Sequence, residues 1–521
     1  VDVNVVDVDV YVVDKAGNPV SDLKQDEFEV FEDGKPVPVV NFYAVSGKPA
    51  KPAPPAAPPA PEAVPETLAP APPPASSGES QQLHLVVYVD NWSLTPFHRN
   101  RVLRQLRSFL AEKLGPEDQV MLVTYDRALH VRHPFTPVAK SLEADLSAIE
   151  KMPGNGIQLV SERRQIFQLL QEEHDVPCDA KARLVSAYVE NRYNETAVRL
   201  NALRALISSL AGLPGRKAVL YVSDEIAFQP GDEAGQLLQE VCATKVDRTR
   251  DISGALRRLT VDANARRVTF YTLEAAGVPP PPSSSVESAG ATMASSLEFF
   301  ERSNRQDGLF ALAAETGGRA ILQANDVRAP LARVAEDLKS YYSLGYSPAH
   351  QGDGRVHSIQ VKVKRPGVTV RHRQTYRDQP PAERREDRLM AALLHGTGEN
   401  PLGAVLEVGT PAAGEKKTFL VPVRVKLPLG NLVFLPAAGF SEAHVQILVV
   451  ARDDAGRTTP VRQVRVPIRL PQAKVDGAKG QLYVYELKLQ LEKGGHTLAV
   501  GIEDTAGAST SMLNGRVEVK G

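Results

Sequence analysis

The run Leu83–Val89, LHLVVYV, is apolar at nearly every position and stops on Asp90. Alternation would mark a strand with one wet face. A continuous run marks a strand covered on both faces, as in a parallel sheet. A short polar loop follows, and Thr95-Pro96 opens a helix. Proline suits the first helical turn, where its missing N–H costs nothing, and a threonine before it accepts from an unpaired N–H. The unit reads strand, acid, loop, helix. In open α/β sheets ligands gather at the carboxyl ends of strands, which is where Asp90 falls.

The same unit recurs. Gln119–Tyr125 ends at Asp126, Lys217–Val222 ends at Ser223-Asp224-Glu225, and Arg267–Leu273 ends at Glu274. Between them lie helical stretches such as Phe97–Leu114, which carries Val102, Leu103, Leu106, Phe109 and Leu110 on one face. Strands alternating with helices over residues 81–340 predict a Rossmann-type, doubly wound parallel α/β sheet.

Asp90-Asn91-Trp92-Ser93-Leu94 resembles the opening of a von Willebrand factor A (VWA) domain. That family carries Asp-x-Ser-x-Ser here and uses it to hold a divalent cation at the metal-ion-dependent adhesion site. The aspartate matches, while Trp92 and Leu94 stand where the two serines belong. Gly215–Asp224 is similar to the family's second metal-bearing segment, with Glu225 in place of the usual glycine. The resemblance implies a VWA-like domain with a degenerate site for Mg2+ or Ca2+ made of Asp90, Ser93 and Asp224. Ser93 enters by a one-residue shift, and the missing serines favour weak or no metal binding. It also implies a partner-binding rim around Asp90, Trp92 and Glu225. Large aromatics at such a rim are frequent anchors; the competing reading is that Trp92 folds over the sheet end and seals it. Thr95 reads as a helix cap, and Thr196 fits the family's loop threonine only loosely. Asp126 and Glu274 read as ordinary strand-end acids, favoured near helix N-termini.

Residues 1–45 read as short strands, with Asp33-Gly34 as a hairpin signal between Phe28–Glu32 and the strand after it. So few residues cannot bury a core alone, so they are expected to pair with strands at 341–378. Residues 46–80, rich in proline and alanine, read as a semi-rigid linker. Residues 379–401 read as a connecting helix and 402–521 as an immunoglobulin-like β-sandwich. The whole resembles secreted bacterial VWA-related proteins, whose N-terminal hairpin corresponds here to Glu27-Phe28-Glu29-Val30-Phe31-Glu32-Asp33-Gly34.

With 61 basic and 62 acidic residues, the chain has no general electrostatic case for nucleic acid. No apolar run approaches the ~20 residues that span a bilayer. The opening VDVNVVDVDVYVV is read as a mature terminus left by removal of an export signal, hence a secreted, periplasmic or cell-surface location. Cys178 and Cys242 leave open one disulfide or two buried thiols. His130 and His133, three apart on a strand, point to opposite faces and cannot share a metal. No nucleophile elbow, zincin motif or phosphate loop is present. These readings lead to a non-enzymatic interaction or adhesion protein that binds a protein or cell-envelope partner through the rim. One rival is a structural scaffold whose C-terminal sandwich does the binding. The other is a metal-dependent hydrolase using the acidic rim.

Overall fold

The computed structural model describes residues 5–45, 82–173, 175–244, 250–278, 291–415 and 418–520. The expected linker, 46–80, lies outside the described residues. The chain forms two units: Val1–Ala205 with Pro214–Asp378, and Leu206–Leu213 with Gln379–Gly521.

In the first unit, β1 (Val6–Val13), β2 (Phe28–Glu32), β3 (Lys35–Val37) and β4 (Val39–Val45) come first. Next are β5 (Leu83–Val89), α1 (Pro96–Lys113), β6 (Gln119–Tyr125), β7 (Leu129–Thr136), α2 (Glu143–Glu150), α3 (Gly156–Gln171) and α4 (Cys178–Leu210), whose residues from Leu206 on count with the second unit. Then follow β8 (Arg216–Ser223), α5 (Asp232–Cys242), α6 (Ser253–Ala265), β9 (Val268–Glu274), α7 (Ala291–Glu315), β10 (Ala320–Ile321) and α8 (Arg328–Lys339). Strands β11 (Tyr341–Tyr346), β12 (Val356–Val363), β13 (Thr369–His372) and β14 (Thr375–Arg377) close the unit.

The large sheet runs β10-β9-β8-β5-β6-β7. β5 pairs in parallel with β6 on one side and β8 on the other. The strand order therefore reverses between β5 and β8, which makes the crevice at their carboxyl ends the natural place for a site. β5 earns its central place through two apolar faces. Leu83, Leu85, Val87 and Val89 pack with Leu103 and Leu106 of α1 and Leu331 and Val334 of α8. Val86 and Tyr88 are buried on the other face. Each such side chain contributes roughly 1.5–3 kcal/mol. The N–H of His98 donates to Thr95 Oγ1 at 3.3 Å, so Thr95 caps α1 ahead of Pro96.

The sheet is mixed, with helices about it as in a VWA-like α/β fold, and not wholly parallel as expected. β7 runs antiparallel to β6. Only Asp126–Ala128 separate them, and Arg127 takes φ 69° to close the turn. A parallel return would need a crossover of a dozen residues or so.

Two further four-stranded sheets, β13-β1-β11-β4 and β14-β12-β2-β3, combine residues 5–45 with 341–378. Val8 stands opposite Leu344 and Val30 opposite Val361. These side chains share one core with Phe28, Tyr342 and Ile359. Asp33 and Gly34 both take positive φ, 48° and 77°, as a two-residue hairpin turn requires. Cys178 and Cys242 form a disulfide, with Cα atoms 5.7 Å apart, joining the start of α4 to the end of α5. This resolves the alternative the sequence left open. Beside it Leu170, Val185, Val189, Leu237 and Leu238 make a small core of their own.

The second unit holds α9 (Pro381–His395) and two antiparallel sheets. One pairs Thr418–Pro428 with Leu482–Glu492 and Val405–Val408. The other sets Phe440–Asp453 between Arg462–Pro471 and Gly494–Asp504, with Ser509–Val519 outside the latter. Val423, Val425 and Leu487 from the first sheet share a core with Val445, Ile447 and Val500 from the second. Among the described residues, no helix is long and apolar enough to cross a membrane.

Candidate functional site

β5 delivers Asp90 to the crevice, where its N–H donates to Val222 O of β8 at 2.9 Å. The carboxylate is fully buried. Its Oδ2 accepts from Arg199 Nη1 at 3.0 Å, Tyr221 Oη at 2.9 Å, Ser223 Oγ at 2.9 Å and Ser93 Oγ at 3.0 Å. Ser93 thus reaches Asp90 despite its shifted position. It also lies 2.8 Å from Ser223 Oγ and accepts the N–H of Asp224 at 3.3 Å. The loop between them is clamped from outside: Asn155 donates its N–H to Asn91 O, and Gly156 donates to Leu94 O. A Cβ on Gly156 would sit 2.4 Å from Ser93 O, so only glycine lets α3 start this close.

Arg199, on α4, is the residue that sequence reasoning missed. Its guanidinium bridges Asp90 to Glu225 Oε1, 3.9 Å from its Nη2, and Thr196 Oγ1 accepts from it at 3.4 Å. Burial works against its charge, but Asp90, Tyr221 and Glu225 outweigh burial and raise its pKa. A signal was available. Arg192, Thr196, Arg199 and Leu203 recur at helical spacing on one stripe of α4. Thr196 and Arg199 on that stripe are buried, and a buried arginine calls for a partner.

Glu225 is the second hub. It pairs with Arg192, with Arg305 Nε at 2.9 Å, and with Arg199. Burial pushes its carboxyl up, and the charges of Arg192, Arg305 and Arg199 outweigh that, bringing it to about 2. Asp224 turns its Oδ2 to His98 Nδ1 at 2.8 Å, and its buried Oδ1 has no hydrogen-bond partner among the described residues. Glu274 accepts from Gln306 Nε2 at 2.8 Å and from the N–H of Gln323 at 2.7 Å. Asp126 pairs with His130 and Arg132, while His133 pairs with Asp145.

A divalent cation does not fit this donor set. The orphan oxygen of Asp224 is the one feature that favours it. Against it, the Asp90 oxygen already holds four donors. One of them is a permanent cation standing on the carboxylate that the resemblance implies would bind the metal. An added ion would also face Arg192 and Arg305 across Glu225. Of the set Asp90, Ser93 and Asp224, Ser93 Oγ reaches the Asp90 carboxylate and the Asp224 N–H, while the Asp224 carboxylate turns to His98 and the cation beside Asp90 is Arg199.

The three residues expected to bind a partner are buried. Asp90, Trp92 and Glu225 are 0%, 7% and 8% exposed. Trp92 is covered by Arg127, whose guanidinium lies 4.5 Å from the ring centroid, so it seals the sheet end. The side chains that face solvent beside the Asp90 loop are others. Phe97, two residues past the cap, is 71% exposed, and Ile157, at the start of α3, is 60% exposed.

No protein-family model matches this sequence, and none of the curated proteins matches it. The solved structures it resembles include VWA-type proteins. One is a von Willebrand factor type A protein from Catenulispora acidiphila, at 9% identity over 84% of this chain and 66% of that one, TM-score 0.25. Another is BatB from Bacteroides thetaiotaomicron, at 9% identity over 49% of this chain and 96% of that one, TM-score 0.24. A third is an aerotolerance-related membrane protein from Bacteroides fragilis, at 10% identity over 49% and 98%, TM-score 0.24. Likeness at this level carries no argument about function. The functional reading rests on the strand order and the side chains at its reversal.

Proposed function

We propose that this chain is a secreted, non-enzymatic protein-interaction protein whose VWA-like strand-end rim works without a metal. The observation that carries this is the Arg199–Asp90 ion pair in the crevice. In a VWA-type site, the resemblance implies, a bound cation accepts a carboxylate from the partner. Here a guanidinium takes the cation's place and is itself buried, so recognition moves outward. Phe97 and Ile157 flank the clamped loop, and His98, 28% exposed, sits between the solvent and Asp224. Apolar anchors ringed by polar groups are what protein partners bury. The partner is a protein or a protein component of the cell envelope. The C-terminal sandwich, which we read as immunoglobulin-like, offers a second, independent binding domain. The Cys178–Cys242 disulfide supports an oxidising location outside the cytoplasm.

The test is binding of envelope proteins to the immobilised full chain, with and without chelator. A Phe97→Glu, Ile157→Glu double variant should weaken a specific partner by ~30-fold or more, the size of a hot-spot loss. Chelator should change nothing. Binding that survives the double variant, or is abolished by chelator, overturns the reading.

A further inference from the structure

Away from the strand-end crevice, the paired β sheets gather two histidines and four carboxylates at one edge. The loop after β11 carries His350 and Asp353, and Asp378 follows β14. Two backbone bonds tie them: Gly354 N–H to Asp378 O at 2.8 Å, and Asp378 N–H to Arg355 O at 3.0 Å. Gly352 and Gly354 take φ 60° and 74°, and these left-handed turns fold the loop back on itself. One donor atom each from His350, Asp353 and Asp378 lies within 4.8 Å of the others. His350 Nδ1 is already 2.9 Å from Asp378 Oδ2.

Each imidazole here is bracketed by carboxylates on both ring nitrogens. His350 Nδ1 faces Asp378, and its Nε2 faces Glu32 Oε1 at 3.5 Å. His357 Nδ1 faces Asp33 at 2.8 Å, and its Nε2 faces Asp353 at 3.3 Å. A neutral imidazole has one N–H to give. At His350 the Tyr376 hydroxyl also approaches Nε2, at 3.3 Å. The two rings stack with centroids 3.9 Å apart.

We infer that His350, Asp353 and Asp378 form a binding site for a divalent transition-type cation such as Zn2+ or Mn2+. One imidazole and two carboxylates are the donors these ions take, with water completing the shell. The side chains of His350 and Asp353 are 23% and 27% exposed, so the ion has a way in, while Asp378 at 4% backs the site. The surroundings match what a metal-bound histidine needs. Its remote nitrogen faces a carboxylate, Glu32, which is itself held by Tyr346 Oη at 3.0 Å and Tyr376 Oη at 2.5 Å. Such partners orient the ring and sharpen its basicity. His357 plays the same part for Asp353. It is not a ligand of the same ion, because its ring lies within 12° of parallel to that of His350, and stacked rings cannot both aim at one point.

The experiment is calorimetric titration of the metal-stripped full chain with Zn2+ and with Mn2+, followed by zinc-edge X-ray absorption. One site is expected, with an imidazole in the first shell. Glu32→Gln should weaken binding about 10–100-fold, as loss of an orienting group does. Asp353→Asn and His350→Gln should weaken it more, and His350→Gln should remove the imidazole signature. Asp353 lies partly in solvent, so its variant keeps the test open if the others misfold. No binding up to about 1 mM metal, or affinity in Asp353→Asn and His350→Gln unchanged from the parent, overturns the inference.

Discussion

Removing the Arg199 side chain tests the crevice directly. In Arg199→Ala, Asp90 loses its counter-ion but keeps the hydroxyls of Ser93, Tyr221 and Ser223 within 3.0 Å. Glu225 keeps Arg192 and Arg305. Deleting one member of a buried ion pair costs about 3–5 kcal/mol, because the remaining charge is left uncompensated. Three surviving donors place this case near the lower end. The vacated space is then lined by oxygen donors from Asp90, Ser93, Ser223 and Thr196, which suits a hard cation. For an affinity of about 1 mM, ~10 mM Mg2+ would return roughly 1.4 kcal/mol. The assay is urea unfolding with and without Mg2+, followed by fluorescence of Trp92, the chain's single tryptophan. The parent should show the same midpoint in both buffers. The variant should unfold earlier and recover partly with Mg2+. A parent stabilised by Mg2+ through this transition, or a variant that loses less than about 1 kcal/mol, refutes the view that the guanidinium is the counter-ion of Asp90.

Three other substitutions separate sealing from binding and test the charge network. Trp92→Ala should destabilise the unit by about 3–5 kcal/mol through a buried cavity, read by circular dichroism during urea unfolding; a surface anchor would leave stability unchanged. Burial first, and the charge of Glu301 second, push Glu233 up to about 7 from 4.5. The folded state therefore holds a proton that the unfolded chain releases, and stability falls as pH rises from 4.5 to 7. Glu233→Gln should be neutral near pH 4.5 and stabilising by up to about 3 kcal/mol at pH 8. Parallel stability–pH curves for parent and variant would contradict this. Glu225, held at about 2 against the same 4.5, acts in the opposite sense. Its contribution is whole above pH 4.5 and is lost as pH falls through 2, so Glu225→Gln should cost about 3 kcal/mol at pH 7 and little at pH 2, measured as the shift in urea midpoint.

What the sequence determined by itself was local. The apolar run Leu83–Val89 demanded cover on two faces, and Thr95-Pro96 started a helix, because burial periodicity and capping act over a few residues. Asp33-Gly34 turned a hairpin for the same reason: its two backbone angles are a property of those residues. Ser93 could be proposed beside Asp90 because only three positions separate them. The tertiary structure decided whatever depends on how distant elements pack. It ran β7 antiparallel, joined Cys178 to Cys242, and folded Trp92 under Arg127 instead of into solvent. It also set Arg199 on Asp90, across 109 positions of chain, and His350 beside Glu32. Such charge pairs depend on the axial and rotational placement of one element against another, and that placement follows from filling the core between them. The sequence could show a strand-end acid. Only the packed fold could show that its cation is an arginine.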